Sequence, residues 1–255
     1  MVSLRTFQSA LLGLALCGAP ALASAQNFSE PQRGEIEKIV REYLLSHPEV
    51  LEEVSAELSK RQTAAEALKH ETAVTTNAQA IFSSPRGVTI GNKDGDVGFV
   101  EFFDYNCGYC KRAMTDMLEL MKSDPKLKVV LKEFPVLGPG SVEAAQVAVA
   151  VRMQDPTGKK YLDFHQKLLG GRGQADKARA IAAAKDAGVD IAKLEKDLTS
   201  PEIRATLEEN YKLAEAMGMN GTPSYVIGKQ VVVGAVGVDT LREKIGVARC
   251  GKATC

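Results

Sequence analysis

Two cysteines, Cys107 and Cys110, are separated by only two residues, and this spacing suits a specific chemistry. At i and i+3 in the first turn of a helix, both sulfur atoms lie on one side and close enough to bond. The free N–H groups and positive dipole end of that helix stabilise the thiolate of the first cysteine. A thiolate attacks a disulfide, and the second cysteine resolves the mixed disulfide that forms. The pair therefore predicts thiol–disulfide exchange, with Cys107 and Cys110 as catalytic residues that cycle through a redox-active disulfide.

The same pair has two competing interpretations, a structural disulfide and half of a zinc site. Zinc would need two further ligands. Cys250 and Cys255 are available, but their spacing differs and they lie at the end of the chain. We therefore favour redox chemistry that needs no metal or organic cofactor. For Cys250 and Cys255 we expect a small structural disulfide that pins the tail; a second redox pair and unpaired or metal-linked cysteines are the alternatives.

The elements around the pair predict its place in the fold. Residues 98–103 form a compact apolar strand, Cys107 follows four residues later, and residues 110–121 have helical spacing. Residues 127–131 form a second buried strand, so the order is a βαβ unit that should wind right-handedly. A CxxC that follows a strand in such a unit is typical of a thioredoxin-like redox site.

Glu101 is an acidic residue inside the apolar strand, six residues before Cys107. A buried carboxyl group there would have a raised pKa and relay protons during exchange. Lys132, at the end of the neighbouring strand, is the partner we consider for it. Strand alternation equally allows Glu101 to face solvent, so both orientations stay open.

Thr222 and Pro223 stand just before another strand pattern, where a proline cannot donate to the sheet. A cis bond would let the backbone of Thr222 face the CxxC and pair with an extended substrate chain. A trans proline in an ordinary turn is the alternative. Beside a CxxC we favour the cis form, and we assign Thr222 and Pro223 to a substrate-binding loop.

The rest of the domain alternates between helical and strand patterns. Residues 92–96 have a hairpin-type composition between short apolar segments, and residues 224–227 and 230–233 flank a second hairpin at Gly228-Lys229. The order is then βαβ, a helical insertion and ββα. The candidate helices are residues 141–153, 157–169, 174–187, 190–198 and 201–217, with a last helix from about Asp239.

The N-terminus has the pattern of a cleavable signal peptide over residues 1–25. Residues 10–23 are apolar or small apart from Cys17, and residues 23–25 read Ala-Ser-Ala, as expected before a cleavage site. A membrane anchor would need about 18 or more apolar residues, and a lipoprotein cut at Cys17 is the other alternative. Lys plus Arg equals Asp plus Glu at 32 each, which does not indicate nucleic acid as a partner. We expect an exported protein.

Residues 26–84 form a helical leader with a narrow apolar stripe, broken at His47-Pro48. Such a stripe hardly forms a core alone, so we favour an oligomerisation stalk that packs against copies of itself. A helical arm folded on its own domain and a partly disordered leader are the alternatives. The stripe consists of Ile36, Ile39, Val40, Tyr43 and Leu44, continued by Leu51, Val54, Leu58, Ala65 and Leu68.

The segment from Phe102 to Cys110, the helical insertion and Gly221-Thr222-Pro223 together resemble the DsbA-like branch of the thioredoxin superfamily. Glu101 matches an acidic residue of that family near its redox pair. Residues 44–50 look like the N-terminal segment of the suppressor of copper sensitivity protein C (ScsC) proteins. The resemblance implies an α/β thioredoxin-like fold with a helical insertion and an N-terminal helical oligomerisation segment. The expected division is a signal peptide (1–25), a leader (26–84), a DsbA-like domain (85–249) and a Cys-containing tail (250–255).

The resemblance also bears on whether the protein oxidises, reduces or isomerises the disulfides of its substrates. The oxidase DsbA has Pro-His between its cysteines, whereas Gly108-Tyr109 and the Thr222 before Pro223 resemble the isomerase DsbC. We therefore expect a periplasmic isomerase or reductase that forms homo-oligomers, with a primary oxidase as the alternative. Its implied partners are exported thiol-containing or disulfide-bonded proteins and a membrane redox partner. The family name keeps a further alternative open, a copper-binding or copper-tolerance protein that uses the same cysteines.

Overall fold

The computed structural model describes residues 28–255, and these fall into two units that divide after Leu58. The predicted signal peptide, residues 1–25 with Cys17, lies outside the described residues. Among the helices of residues 28–255, none is both long and apolar enough to cross a membrane.

The first unit contains α1 (Glu30–Ser46) and the start of α2 (Glu49–Thr76). The Ser29 backbone N–H donates to the Gln32 side chain (2.9 Å), which helps to satisfy the free donors at the start of α1. The two helices are separated at His47-Pro48, as the sequence predicted. No residue of α1 is buried. The large apolar side chains exposed in this unit are Phe28, Ile36, Ile39, Val40, Tyr43, Leu45, Leu51, Val54 and Leu58.

The second unit is built on a five-stranded sheet in the order β1-β3-β2-β4-β5. Strands β2 and β3 are parallel with α4 (Gly108–Ser123) between them in sequence, so the predicted βαβ unit is confirmed. The β4–β5 hairpin is also confirmed. The strands are β1 (Val88–Gly91), β2 (Val97–Phe103), β3 (Leu127–Glu133), β4 (Ser224–Ile227) and β5 (Gln230–Val233).

The hairpin expected around residues 92–96 is wrong. Strand β3 lies between β1 and β2, so the two strands that flank this turn do not pair with each other. The turn is held instead by the start of β3, because the Asp96 N–H donates to the Lys126 carbonyl (3.0 Å) and the Asn92 N–H to the Leu127 carbonyl (3.1 Å). A local turn signal does not reveal which strand enters between its two arms.

The helical insertion and the last helix agree with the predicted segments to within a few residues. The predicted insertion comprises α5 (Pro139–Gln154), α6 (Lys159–Gly170), α7 (Lys177–Asp186), α8 (Ile191–Asp197) and α9 (Pro201–Ala216), and the last helix is α10 (Val238–Cys250).

Two apolar cores lie on the two faces of the sheet, because alternate residues of a strand point to opposite sides. Phe99 and Phe103 of β2 pack with the larger cluster, which includes residues of α4 to α10. Val100 and Phe102 pack with a smaller cluster that contains Val74 of α2, residues of α9, and Ile81 of the short α3 (Ala78–Phe82). The predicted leader of residues 26–84 therefore spans both units, and its last part packs with the sheet.

Candidate active site

The CxxC lies where strand β2 leads into helix α4. Cys107 is the N-cap of α4 and Cys110 lies in its first turn, so the Cys110 backbone N–H points at the Cys107 Sγ (3.4 Å). The Cys107 thiol donates to the carbonyl oxygen of Thr222 at 3.2 Å. The two cysteines are not bonded to each other. Cys107 is 6% exposed and Cys110 is fully buried, so an incoming disulfide can reach only the first sulfur.

The two thiols have opposite acidities. A hydrogen bond from the Cys110 thiol, helped by the Cys110 and Tyr109 backbone N–H groups, lowers the pKa of Cys107 to about 6, although burial opposes the shift. Burial raises the pKa of Cys110, and the same hydrogen bond raises it further. Near neutral pH, Cys107 is therefore mostly a thiolate while Cys110 keeps its proton.

The peptide bond between Thr222 and Pro223 is cis, which confirms the predicted isomer. Two hydrogen bonds hold this loop at the start of β4: the Gly234 N–H donates to the Pro223 carbonyl (2.8 Å), and the Ser224 hydroxyl to the Gly221 carbonyl (2.7 Å). The Thr222 backbone is thereby presented to Cys107.

Glu101 is buried, with 2% of its surface exposed, so the solvent-facing alternative is wrong. Burial, together with the nearby charges of Cys107 and Asp116, raises the pKa of its carboxyl group to about 8. Its neighbour across the sheet is Tyr225 of β4. Among the described residues, neither the Glu101 Oε2 nor the Tyr225 hydroxyl has a hydrogen-bond partner.

The proposed pairing of Lys132 with Glu101 is not found. In the register of β2 and β3, Glu101 aligns with Leu131, and Lys132 aligns with Phe102 on the opposite face. The Lys132 ammonium group lies near Glu209 (3.5 Å) and the Asn210 side-chain oxygen (3.4 Å) of α9. Burial lowers the pKa of Lys132 to about 8, although Glu209 opposes the shift. Glu101 and Lys132 lie on neighbouring strands but project from opposite faces of the sheet, so the predicted pairing is wrong.

Two polar residues beside the CxxC were missed by the sequence reasoning. The buried Asp104 carboxylate accepts from the backbone N–H groups of Asn106 (2.7 Å), Val136 (2.8 Å) and Leu137 (2.9 Å). The Asn106 amide forms two hydrogen bonds with the backbone of Ala175, at 2.7 and 2.9 Å. Asp and Asn in a strand-to-helix loop are typical of such local turns, but their distant partners have no signal in the sequence.

A second buried polar cluster lies beyond the redox loop. The Tyr161 hydroxyl donates to the Glu133 carboxyl group, the Tyr105 hydroxyl lies 3.5 Å from it, and His165 Nδ1 lies 3.4 Å from the Tyr105 hydroxyl. Burial raises the pKa of Glu133 and lowers the pKa of His165 to about 3. Both shifts favour the uncharged side chains, so this cluster is a neutral, hydrogen-bonded part of the core.

Cys250 and Cys255 form a disulfide, so the expected pairing is confirmed, while its role stays a prediction. The short tail that it closes packs against Gly246 of α10, where an added Cβ would collide with the carbonyl of Lys252 at 2.8 Å. Within residues 28–255, no group of three or more His, Cys, Asp or Glu side chains has a metal-binding arrangement.

The geometry of the site agrees with the protein families that the chain matches. Residues 99–246 match the model of the DSBA-like thioredoxin domain, and this match covers more than half of the chain. The chain therefore belongs to the DsbA-like thioredoxin family, a family of thiol–disulfide oxidoreductases. Residues 32–65 match the model of the Copper resistance protein ScsC N-terminal domain. The two matches together are the domain combination of the ScsC type.

Solved structures and curated proteins give the same picture. A thioredoxin-like oxidoreductase from Silicibacter pomeroyi is 39% identical, covers 67% of this chain and 96% of its own, and has a TM-score of 0.63. A linker-deletion mutant of Proteus mirabilis ScsC is 30% identical, covers 88% and 98%, and has a TM-score of 0.65. The thiol:disulfide interchange protein DsbA of Bordetella pertussis is 26% identical over 56% of this chain and 68% of its own length.

Two curated relatives are much longer. The Na⁺/H⁺ antiporters NhaA of Herminiimonas arsenicoxydans and NhaA 1 of Salinispora arenicola are 25% and 22% identical to this chain. The chain spans only 26% and 24% of their lengths.

Proposed function

We propose that this protein exchanges disulfides with exported proteins, with Cys107 as the nucleophile and Cys110 as the resolving thiol. The Cys107 thiolate attacks one sulfur of a substrate disulfide, forms a mixed disulfide and releases the other sulfur as a thiolate. Cys110 then loses its proton and attacks the Cys107 sulfur. The Cys107–Cys110 disulfide forms, the substrate cysteine leaves as a thiolate, and two electrons have passed to the substrate.

The observation that carries this proposal is the unequal pair of thiols at the start of α4. Cys107 has a pKa of about 6 and keeps 6% of its surface exposed, whereas Cys110 is fully buried with a raised pKa. A structural disulfide would not need one acidic, accessible member. The asymmetry therefore favours exchange chemistry over a structural role.

The cis-proline loop would hold the substrate chain. The Thr222 carbonyl already lies 3.2 Å from the Cys107 Sγ. A substrate segment that pairs with this backbone in an extended conformation would bring its own cysteine to the same sulfur. We assign Thr222 and Pro223 to this role.

Glu101 would accept and return the proton of Cys110. It is buried on the face of the sheet that packs against α4, and the charge of Glu101 contributes to the raised pKa of Cys110. A carboxyl group with a pKa near 8 can hold or release a proton close to neutral pH. Lys132, on the other face, has no part in this relay.

For direction, we propose an isomerase or reductase of the periplasm that a membrane redox partner returns to its reduced state. No histidine stands between the cysteines to stabilise the Cys107 thiolate further, and Thr222 precedes the proline as in isomerases. In isomerisation, a different thiolate of the same substrate attacks the mixed disulfide and regenerates Cys107, so no electrons are transferred overall. A primary oxidase is the alternative direction, and a reduction potential measured against glutathione separates the two.

The test of the activity is a Cys107→Ser variant assayed for insulin reduction and for refolding of scrambled ribonuclease. We expect both activities to fall to background, because serine offers no thiolate. A Cys250→Ser, Cys255→Ser double variant serves as the control and should retain both. Full activity of the Cys107→Ser variant would contradict the proposal.

A second candidate function is copper binding, since the N-terminal match is to copper resistance proteins and two free thiols lie side by side. Cu(I) prefers such soft ligands. Stoichiometric copper that survives competition by a chelator, and that is lost in the Cys107→Ser variant, would favour it.

A further inference from the structure

Two buried side chains near the CxxC each carry a polar atom that the protein leaves unbonded. Glu101 of β2 is 2% exposed and Tyr225 of β4 is 1% exposed. Among the described residues, three buried side-chain nitrogen or oxygen atoms lack a hydrogen-bond partner: the Glu101 Oε2, the Tyr225 hydroxyl and the Arg152 Nε of α5. Burying a polar group unbonded costs free energy, so each of these atoms requires an explanation.

Glu101 and Tyr225 lie directly opposite each other in the sheet. Strands β2 and β4 are antiparallel, and these two residues are partners in their register. The Cβ atoms of such a pair are about 4.5–5.5 Å apart, so the two side chains are neighbours. Both project toward the larger core, because Phe99 and Phe103, two positions from Glu101, belong to it, as does Tyr225 itself.

The thiol of Cys110 belongs to the same core and is fully buried. Burial raises the pKa of Tyr225, and the charges of Glu101, Cys110, Asp116 and Cys107 raise it further, in that order. The Tyr225 hydroxyl therefore lies in one electrostatic neighbourhood with the carboxyl group and the resolving thiol. The elements α10 and β5 contribute only apolar side chains to this core, namely Leu241, Ile245, Val232 and the partly buried Val238.

A water molecule is the ligand that suits these groups. It can donate to the Glu101 carboxylate, exchange a hydrogen bond with the Tyr225 hydroxyl, and accept from the Cys110 thiol. A buried water typically makes two to four such hydrogen bonds to polar groups that the protein leaves unbonded. One water would thus satisfy both orphaned oxygen atoms at once.

We propose that Glu101 and Tyr225 hold a water molecule between them, and that this water carries the proton of Cys110 to the Glu101 carboxylate. Tyr225 is a positioning residue, whose hydroxyl orients the water and keeps its own proton. The inference rests on the proposed function, in which Cys110 resolves the mixed disulfide.

The resolving step then balances as follows. The proton of the Cys110 thiol passes to the water, and the water passes one of its protons to the Glu101 carboxylate. The Cys110 sulfur bonds to the Cys107 sulfur, and the bond between Cys107 and the substrate breaks. The substrate sulfur leaves as a thiolate with the electron pair of that bond.

The charge of Cys107 determines when Glu101 can accept this proton. In the reduced protein the Cys107 thiolate adds to burial in raising the pKa of Glu101 to about 8, so the carboxyl group is mostly protonated at neutral pH. Formation of the mixed disulfide removes that negative charge. The pKa of Glu101 then falls, its proton passes to solvent, and the carboxylate becomes available as a base for Cys110.

The experiment separates the two steps of the exchange. The substrate is dithiobis(nitrobenzoate), an aromatic disulfide whose two halves are released one after the other as coloured thiolates. The attack by Cys107 releases the first, and the attack by Cys110 on the mixed disulfide releases the second. The full chain carries Cys250→Ser and Cys255→Ser throughout, so that only Cys107 and Cys110 react, and stopped-flow absorbance records both rates.

Tyr225→Phe removes only the hydroxyl that orients the water. The first release should keep its rate, and the second should slow by on the order of tenfold at neutral pH, part of the about 10²–10⁴-fold that a positioned acid or base contributes. The pH profile of the second release should move to higher pH, because the ionised Glu101 loses a hydrogen bond that favours it.

Two further variants show whether Tyr225 acts through Glu101. Glu101→Gln should slow the second release more than Tyr225→Phe does, and the double variant should be no slower than Glu101→Gln alone. Tyr161→Phe is the matched control, since Tyr161 is a buried tyrosine of the same core whose hydroxyl donates to Glu133. It should keep both rates and the pH profile.

An unchanged second release and an unchanged pH profile in Tyr225→Phe would overturn the inference while leaving the exchange activity intact. So would an equal loss in Tyr161→Phe, or a double variant slowed by the full product of the two single effects. If the starting protein released no coloured thiolate at all, the proposed function itself would be wrong.

Discussion

At the scale of single residues, the site contains two buried carboxyl groups, those of Asp104 and Glu101, which differ in their hydrogen bonding. Asp104 accepts three backbone hydrogen bonds, whereas the Oε2 of Glu101 has no hydrogen-bond partner among the described residues. Burial raises the pKa of Glu101 to about 8, while the neighbouring Cys107 has its pKa lowered to about 6. Glu101 of β2 and Cys107 at the start of α4 therefore both change protonation state near neutral pH.

The raised pKa of Glu101 predicts a pH-dependent stability. The folded state holds the proton more tightly than the unfolded state, so the protein loses stability as the pH rises from 4.5, the ordinary value, to about 8. The slope from this residue is at most about 1.4 kcal/mol per pH unit. In Glu101→Gln this slope disappears, and the variant should become more stable than the wild type toward pH 8.

Urea denaturation of the reduced proteins at several pH values between 5 and 8 measures the effect. Glu195→Gln, at an exposed position of α8, is the control and should follow the wild type. Parallel stability curves for the wild type and Glu101→Gln would contradict a raised pKa for this carboxyl group.

At the scale of elements, periodicity and turn residues predicted most of the helices and strands, because those signals are local. The position of Cys107 at the start of α4 followed from the strand before it and the helical spacing after it. The insertion of β3 between β1 and β2 and the contact of Lys132 with α9 were not predicted. Both depend on which strands and faces meet in three dimensions, which local patterns do not encode.

The end of the leader is a further case. Residues 26–84 share one polar, helical composition, yet Val74 and Ile81 are buried in the smaller core against the sheet. The exposed stripe lies in α1 and the first part of α2, and the buried contacts come from the end of α2 and from α3. Sequence periodicity does not distinguish an apolar side chain that meets its own domain from one that meets another copy.

Ile81→Ala tests this assignment. Ile81 is fully buried, so its truncation should lower the free energy of unfolding of the second unit by about 2–5 kcal/mol. The exposed Val247→Ala should change it by less than about 0.5 kcal/mol. Equal, small effects of the two substitutions in denaturant titrations would mean that α3 does not contribute to the core.

At the scale of the whole molecule, the first unit exposes apolar side chains that no partner in the described chain buries. We predict that this stripe joins copies of the protein and that the joined form is required for isomerisation. A chain that lacks residues 26–58 should be monomeric, lose ribonuclease refolding and keep insulin reduction. Deletion stops at residue 58 because Val74 and Ile81 belong to the core of the second unit.

A pair of point variants gives the matched control. Ile39→Lys places a charge on the exposed stripe and should dissociate the oligomer. Glu37→Lys changes the net charge by two instead of one but lies on another side of α1, and it should not. The mass in solution, measured by light scattering, reports both. If the truncated chain formed the same oligomer as the full chain, the prediction that this segment joins copies of the protein would be wrong.

The central claim is that Cys107 attacks a substrate disulfide and Cys110 resolves the product, and trapping the intermediate tests it most directly. A Cys110→Ser variant incubated with a disulfide-bonded protein should accumulate a covalent adduct, which mass spectrometry of its peptides should assign to Cys107. Cys107→Ser should form none. The claim would be contradicted if Cys110→Ser formed no adduct, or if the adduct were carried by Cys250 or Cys255.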